Sequence, residues 1–375
     1  MGITYLDHAA TTPMRPAAVE AMLPFFSERF ANPSGSHRFA RDARRAVDEA
    51  RDQVAEVLGV APGDVVFTGC GTEADNTALL GAGGPAVCGA AEHHAVLHPT
   101  EHLGGIVVGA DAVGQIDLDQ LADVLGPEVA IVSVMAVNNE VGTISDLAAV
   151  SQLVRSVAPG ALLHTDAVQA VCWLDLRDVA PLVDLMSFSA HKFGGPKGVG
   201  VLTIRDGVKL DPLISGGGQE RERRSGTHNV AGIVALTSAL VETDRQRANE
   251  NVRLAGLRDR LVDGLSGAVE GVVETVPRHR KVAGSAHVCL DGIESESLLF
   301  LLDEADVCAS AASACASGAM EPSHVLAAMG IERSLAMGAL RLTLGHTTTL
   351  ADVERAIDVV ASSVQRLRRV TVPRS

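Results

Sequence analysis

One lysine near the middle of the chain lies between two features that could make it reactive. Lys192 follows a Ser-x-His pair, Ser189 and His191, and precedes a glycine-rich turn at residues 193–198. A lysine whose ammonium is desolvated can lose a proton, and the free amine can form a Schiff base with an aldehyde. An ordinary exposed loop lysine is the other interpretation. The aldehyde cofactor that a lysine can bind in this way is pyridoxal phosphate (PLP). Which interpretation is right depends on whether the chain also contains the other groups that a PLP site needs.

A glycine-rich turn follows the apolar strand predicted at residues 64–68 and precedes a predicted helix. It contains Gly71 and Thr72. Free backbone N–H groups and the positive end of a helix dipole suit a phosphate at such a turn, and Thr72 adds a hydroxyl donor. Many turns of this kind bind nothing, so the pattern is weak by itself. Cys70 lies in the same turn, and the sequence indicates no role for it.

Asp166 stands where the strand predicted at residues 161–163 gives way to a loop or helix. Ligands of open α/β sheets bind at the carboxyl ends of parallel strands. A carboxylate there can keep a pyridine nitrogen protonated and so make the ring an electron sink. A helix N-cap is an equally ordinary use of such an aspartate, and the position alone leaves both open.

Four histidines occur between residues 93 and 102. His94, His98 and His102 are spaced four apart, as metal ligands on one helix face would be. Pro99 should interrupt such a helix, and no carboxylate or cysteine motif completes the ligand set, so we predict no metal. Stacking on an aromatic cofactor is the better use of one of these imidazoles.

Cys315 lies in a run of small residues, 307–319, that ends near a predicted helix start at Glu321. Few packing groups should leave this segment mobile, and a cysteine in such a segment is a candidate nucleophile. A lone loop cysteine is usually incidental, so the assignment depends on the other groups.

The elements between these residues alternate in type. Strand-like apolar runs occur at 64–68, 105–108, 129–136, 161–163, 182–188 and 198–204, with helical patterns between them, such as 42–58 and 147–157. This alternation predicts an α/β fold, a mostly parallel sheet wrapped by helices. After the long helical pattern at 229–265, strands and helices mix. We expect a large domain over residues 15–250 and a smaller α+β domain of residues 1–14 and 251–375, which carries the cysteine segment.

Composition narrows the class of protein. A chain of 375 residues is longer than a single small core usually holds, so we expect two packed regions. The net charge of −15 argues against direct nucleic-acid binding. No apolar run suits a membrane span, and we find no signal peptide. Six cysteines without a CxxC pair indicate reduced thiols, so we expect a cytoplasmic enzyme.

Taken together, these groups resemble a known family, the cysteine desulfurases of the class V aminotransferases, within the fold-type I PLP enzymes. The similarity covers nearly the whole chain. It includes residues 5–13, 32–34, 136–142 and 341–345, and the more specific segments 189–192, 224–227, 313–315 and 321–324. The cysteine segment is similar to that of the branch that supplies iron–sulfur assembly and tRNA thiolation.

The resemblance implies a role for each candidate residue. Lys192 would hold PLP covalently and move the substrate α-proton. The phosphate would be bound by Gly71, Thr72, Ser189, His191 and, from the second subunit of a homodimer, Thr227. The ring would contact Asp166 at the pyridinium nitrogen, Gln169 at the hydroxyl and the stacked His93.

The implied reaction converts L-cysteine to L-alanine. Asn139 and Arg341 would hold the substrate carboxylate. The Cys315 thiolate would take the substrate sulfur as a persulfide for an acceptor protein, an iron–sulfur scaffold or a thiolation enzyme. Two other interpretations stay open. A selenocysteine lyase or aminotransferase of the same fold would not need Cys315, and a PLP-binding sulfur-carrier scaffold would show little turnover.

Overall fold

The structure is a computed structural model that describes residues 2–311 and 323–371. Its strands are β1 Thr4–Tyr5, β2 Val65–Thr68, β3 Ala86–Gly89, β4 Ile106–Val108, β5 Ile131–Ser133, β6 Leu162–Asp166, β7 Leu185–Ser189, β8 Gly200–Ile204, β9 Val272–Glu274, β10 Ser285–Leu290, β11 Val307–Cys308 and β12 Ala339–Thr343. Its helices are α1 Pro16–Met22, α2 Pro24–Ser27, α3 Arg38–Leu58, α4 Gly71–Gly81, α5 His94–His102, α6 Leu118–Val124, α7 Leu147–Val157, α8 Leu176–Val179, α9 Val230–Ala268, α10 Ser295–Glu304, α11 His324–Ala328, α12 Arg333–Ala336 and α13 Leu350–Thr371.

A seven-stranded sheet positions most of the candidate residues. Its strand order is β2-β8-β7-β6-β5-β3-β4, and only β8 runs antiparallel to its neighbours. Strands β5, β6 and β7 are buried along nearly their whole length, because helices cover both faces of a parallel sheet. The predicted α/β fold class is therefore confirmed. Strand β3, within the sheet, was missed by the sequence pattern.

The two largest hydrophobic cores among the described residues pack against different sheets. The larger packs helices such as α3 and the first half of α9 against the seven-stranded sheet. The other packs the second half of α9, with α10 and α13, against an antiparallel sheet of order β12-β10-β9. Short strands β1 and β11 pair in parallel. The division into residues 15–250 and residues 1–14 with 251–375 stays a prediction.

Within residues 2–311 and 323–371, no helix combines the length and apolar character needed to cross a membrane.

Candidate active site

A cavity at the carboxyl ends of β6 and β7 brings together ten of the twelve predicted site residues. They are Gly71, Thr72, His93, Asn139, Asp166, Gln169, Ser189, His191, Lys192 and Arg341. The convergence follows from the topology, since the carboxyl ends of parallel strands meet at one sheet edge. Thr227 does not line this cavity, and Cys315 lies outside the described residues.

Lys192 ends a short 3-10 turn that directly follows β7. Its ammonium donates to the backbone carbonyls of Ala9 and Ala10, at 2.5 and 2.9 Å. Burial, and then the positive charge of Arg341, lower the pKa of Lys192 to about 8 although nearby carboxylates such as Asp166 oppose the shift. The side chain can therefore exist as a free amine near neutral pH, as a nucleophilic lysine must.

The glycine-rich turn leads into α4 as the sequence predicted. A Cβ at Gly71 would lie 2.7 Å from Cγ2 of Val168, so only glycine fits where the backbone approaches the cavity. Cys70 is the N-cap of α4, and its sulfur accepts from the backbone N–H of Glu73 at 3.4 Å. The turn thus presents backbone donors at a helix N-terminus, which suits an anion.

Ser189 and His191 line the same cavity as Thr72. Nδ1 of His191 lies 3.1 Å from the hydroxyl of Thr11. Burial, and then the charge of Lys192, lower the pKa of His191 to about 4. The imidazole is therefore neutral at physiological pH and can offer one ring N–H to an oxyanion.

Asp166 is the last residue of β6, next to Ser187 on β7. Oδ1 of Asp166 accepts from the N–H of Val168 at 2.8 Å. Burial raises the pKa of Asp166 to about 6, although that hydrogen bond and the nearby Lys192 oppose the shift. Turns follow Asp166, and the next helix begins only at Leu176. The helix N-cap interpretation is therefore wrong.

Two further buried carboxyl groups were missed from the sequence. Asp75 lines the cavity one helical turn after Thr72, and burial and the charge of Asp166 raise its pKa well above the usual value. Glu92 accepts from the N–H of Met135 at 2.6 Å and has its pKa raised by burial. The i+3 spacing of Asp75 from Thr72 was the available signal. Burial therefore favours the protonated form of both carboxyl groups.

His93 is the N-cap of α5, where its Nδ1 accepts from the N–H of Ala95 at 3.1 Å. Burial, and then the charge of Lys192, lower the pKa of His93 to about 4. The expectation that Pro99 would interrupt this helix is wrong, because α5 continues through it. The Ala95 carbonyl, which a residue with an N–H at position 99 would bind, instead accepts from Asn76 Nδ2 at 3.0 Å.

The histidines of α5 do not form a metal site in the part of the chain described here. His94 packs beside His98 and His324, with ring centroids 5.0 and 4.7 Å away. Across residues 2–311 and 323–371, no group of three or more His, Cys, Asp or Glu side chains is arranged to hold a metal ion.

Arg341 projects from β12 into the cavity beside Asn139. Its Nη1 donates to the Asn139 carbonyl at 2.9 Å, and its Nη2 pairs with Asp7 at 2.8 Å. The buried Nε has no hydrogen-bond partner within residues 2–311 and 323–371. A guanidinium with a free donor at a cavity wall can bind a carboxylate.

The comparisons with known proteins agree with this geometry. The sequence model of the family described as "Aminotransferase class-V" matches residues 4–356. The protein therefore belongs to the class V aminotransferases, and the predicted family resemblance is confirmed.

Two relatives that match nearly the whole chain are named as cysteine desulfurases. "Cysteine desulfurase IscS" of Methanosarcina thermophila is 40% identical over 98% of this chain and 93% of the relative. The "IscS-like cysteine desulfurase" of Mycobacterium tuberculosis is 43% identical over 99% of this chain and 98% of the relative.

Two solved structures with a similar fold are titled as NifS-like proteins. A structure titled "NifS-like protein" superimposes with a TM-score of 0.90 at 33% identity, covering 98% of this chain and all of the other. The NifS-like protein from Rickettsia africae gives a TM-score of 0.87 at 27% identity, covering 97% and 99% of the two chains.

Proposed function

We propose that this protein is a PLP-dependent cysteine desulfurase, which releases L-alanine from L-cysteine and passes the sulfur on through a persulfide on Cys315. The observation that carries the proposal is that Lys192 and Asp166 line one cavity. The pKa of Lys192 is lowered to about 8, and Asp166 ends the neighbouring strand. The names of the relatives support the choice of cysteine as substrate.

The residues present fit PLP. Gly71, where a Cβ would collide with Val168, leaves room for a phosphate at the N-terminus of α4. Asp166 Oδ1 is held by a backbone N–H, which orients the carboxylate for a pyridinium nitrogen. When bound, PLP supplies an electron sink for charge at the substrate α-carbon.

The protein groups around that site have separate tasks. Lys192 would hold the cofactor and accept the substrate α-proton, because its amine is partly neutral at physiological pH. His93 would stack on the ring, and Gln169, which donates to the Ala9 carbonyl at 2.8 Å, would contact the ring hydroxyl. Asn139 and Arg341 would orient the substrate carboxylate.

The sulfur step balances without an outside oxidant. The Cys315 thiolate attacks the sulfur of the substrate, an S–S bond forms and the substrate C–S bond breaks. The bonding electrons stay with the carbon, which takes up protons to become alanine. The enzyme keeps a persulfide, whose outer sulfur then moves to a thiol of an acceptor protein. We propose an iron–sulfur scaffold or a thiolation enzyme as that acceptor.

The same proposal includes a cytoplasmic homodimer that binds neither nucleic acid nor membranes. Thr227 is exposed and lies outside the cavity of its own chain, as expected of a residue that completes the cavity of a second subunit. Three of the chain's eight phenylalanines, Phe26, Phe30 and Phe39, are more than half exposed near α2 and α3. Large exposed aromatic side chains often mark an interface between proteins.

The decisive test is alanine release from L-cysteine in the presence of a reducing thiol. We expect the wild type to form alanine and Cys315→Ala to lose about a thousandfold or more of that rate, as when a nucleophile is removed. Cys308→Ala, which alters a half-buried thiol in β11, should retain the activity.

Other outcomes favour the other interpretations. Full activity of Cys315→Ala, above all with L-selenocysteine, would indicate a lyase that needs no cysteine nucleophile. Amino-group transfer to a keto acid, without alanine from cysteine, would indicate an aminotransferase. Bound PLP without any turnover would leave the sulfur-carrier scaffold.

A further inference from the structure

Three consecutive residues in the loop before α9 adopt a left-handed backbone. The φ values are 49° at Glu220, 57° at Arg221 and 68° at Glu222. Residues with a Cβ rarely adopt this conformation, and each costs free energy relative to the right-handed region. Such a turn persists only when surrounding contacts hold it.

The contacts that hold it converge on one buried carboxylate. Glu220 is 7% exposed. Its Oε1 accepts from Arg51 Nη2 at 2.6 Å and lies 2.7 Å from His228 Nε2. Its Oε2 accepts from Arg51 Nη1 at 2.8 Å and from the backbone N–H of Phe67 at 2.9 Å. Burial favours the neutral acid, but the bonds from His228 and Arg51 outweigh it and lower the pKa of Glu220 to about 2.

These donors come from three different parts of the fold. Arg51 belongs to α3 and Phe67 to β2, both in the larger core. His228 immediately follows Thr227. Glu220 therefore joins the strained turn, two rigid elements and the residue next to Thr227 in one rigid cluster.

A second set of bonds closes the loop just before Thr227. Arg224 pairs with Glu73 at 2.7 Å, and the N–H of Gly226 donates to Gln219 Oε1 at 2.8 Å. Thr227 itself stays exposed, outside the cavity of its own chain. The loop is thus held on both sides of Thr227, whose hydroxyl does not line the cavity that contains Lys192.

We propose that Glu220 is a positioning residue for the cofactor phosphate of the second subunit, acting through Thr227. The inference rests on the proposed PLP-binding homodimer. A simpler role would be to stabilise the subunit that carries Glu220. The two roles differ in which subunit's site is affected when Glu220 is replaced.

Mixed dimers separate those roles. In one dimer, Glu220→Gln and Lys192→Ala are on the same chain and the partner is wild type. In the other, each chain carries one substitution. Each dimer retains a single Lys192, so the visible absorbance of lysine-bound PLP reports on one site. Titration with PLP gives its dissociation constant there, and a dimer with Lys192→Ala alone gives the reference value.

We expect the same-chain dimer to bind PLP about tenfold more weakly than the reference, because its remaining site receives Thr227 from the altered loop. The dimer with one substitution on each chain should match the reference. Thr227→Ala in place of Glu220→Gln should give the same asymmetry. Pyridoxal, which lacks the phosphate, should bind both dimers equally.

Equal weakening in both dimers, or weakening in neither, would overturn the inference. If Glu220→Gln does not fold, Arg51→Lys, which keeps the charge but loses the paired geometry, replaces it and must show the same asymmetry. A wild-type protein that is monomeric or forms no lysine-bound PLP would refute the proposed function itself, a result distinct from symmetric weakening.

Discussion

The reactivity of Lys192 comes from a balance between groups of opposite charge. Burial and Arg341 favour the neutral amine, while Asp166 and Asp7 favour the ammonium. The Ala9 carbonyl accepts a hydrogen bond from the ammonium and holds it at the cavity wall. The result is a pKa of about 8, low enough for reaction with an aldehyde and high enough for the group to hold a proton afterwards.

This balance predicts how the cofactor-free protein reacts with PLP. The rate of formation of lysine-bound PLP should rise about tenfold per pH unit below pH 8 and level off above it, because only the neutral amine reacts. Stopped-flow absorbance would measure it. Lys192→Ala should give no such signal, and Lys197→Ala, an exposed neighbour, should behave as the wild type. A midpoint near the ordinary lysine value of 10.5 would contradict the assigned environment.

Side-chain chemistry at the site was easier to predict than backbone contacts. The position of Asp166 followed from a strand pattern and the rule for parallel sheets. The carbonyls of Ala9 and Ala10 could not be found this way, because every residue has a carbonyl and only the folded path places these two beside Lys192. Pairing between Arg341 and Asp7 spans 334 residues and likewise needs the fold.

At the scale of elements, the long helical patterns and most of the short apolar runs correspond to elements of the structure, with two exceptions at β3 and α5 that have physical reasons. The helix predicted at 42–58 exists as α3, beginning four residues earlier, where His37 caps it. Strand β3 was missed because Ala86 to Gly89 is short and partly made of small residues that favour no one structure. The prediction that Pro99 would interrupt the helix was wrong, because the Asn76 side chain donates to the Ala95 carbonyl that proline leaves without a helical partner.

Helix α9 links the two cores and offers a matched pair of substitutions. At Gly256 an added Cβ would meet nothing within 4 Å, whereas at Gly264 it would collide with Ile357 of α13. We expect Gly256→Ala to raise the free energy of unfolding by about 0.5–1 kcal/mol, since alanine loses less backbone entropy in a helix.

Gly264→Ala should lower that free energy by about 1–3 kcal/mol, as overpacking does. Urea denaturation monitored by circular dichroism would measure both variants. Stabilisation by Gly264→Ala would mean that α9 and α13 pack less closely than the structure shows.

At the scale of the whole molecule, the cavity is assembled from both cores. Lys192 follows a strand of the large sheet, whereas Arg341 belongs to β12 of the smaller one. The N-terminal residues close the space between them, because Asp7 bridges to Thr343 and pairs with Arg341. A change in how the two cores lie together would therefore change the distance between Lys192 and Arg341.

The exposed phenylalanines allow a test of the proposed homodimer. Phe30 is 69% exposed and lies near α2 and α3, and Phe300 on α10 is 65% exposed elsewhere. We expect Phe30→Ser to raise the dimer dissociation constant at least about tenfold, because it removes an aromatic contact from the interface. Phe300→Ser, at a similarly exposed position on α10, should leave the dimer intact. Light scattering after size-exclusion chromatography would measure the mass of both variants across a dilution series.

The Phe30→Ser monomer should also bind PLP weakly, since it lacks the Thr227 of a partner. A Phe30→Ser protein that stays dimeric on dilution would move the interface to another surface.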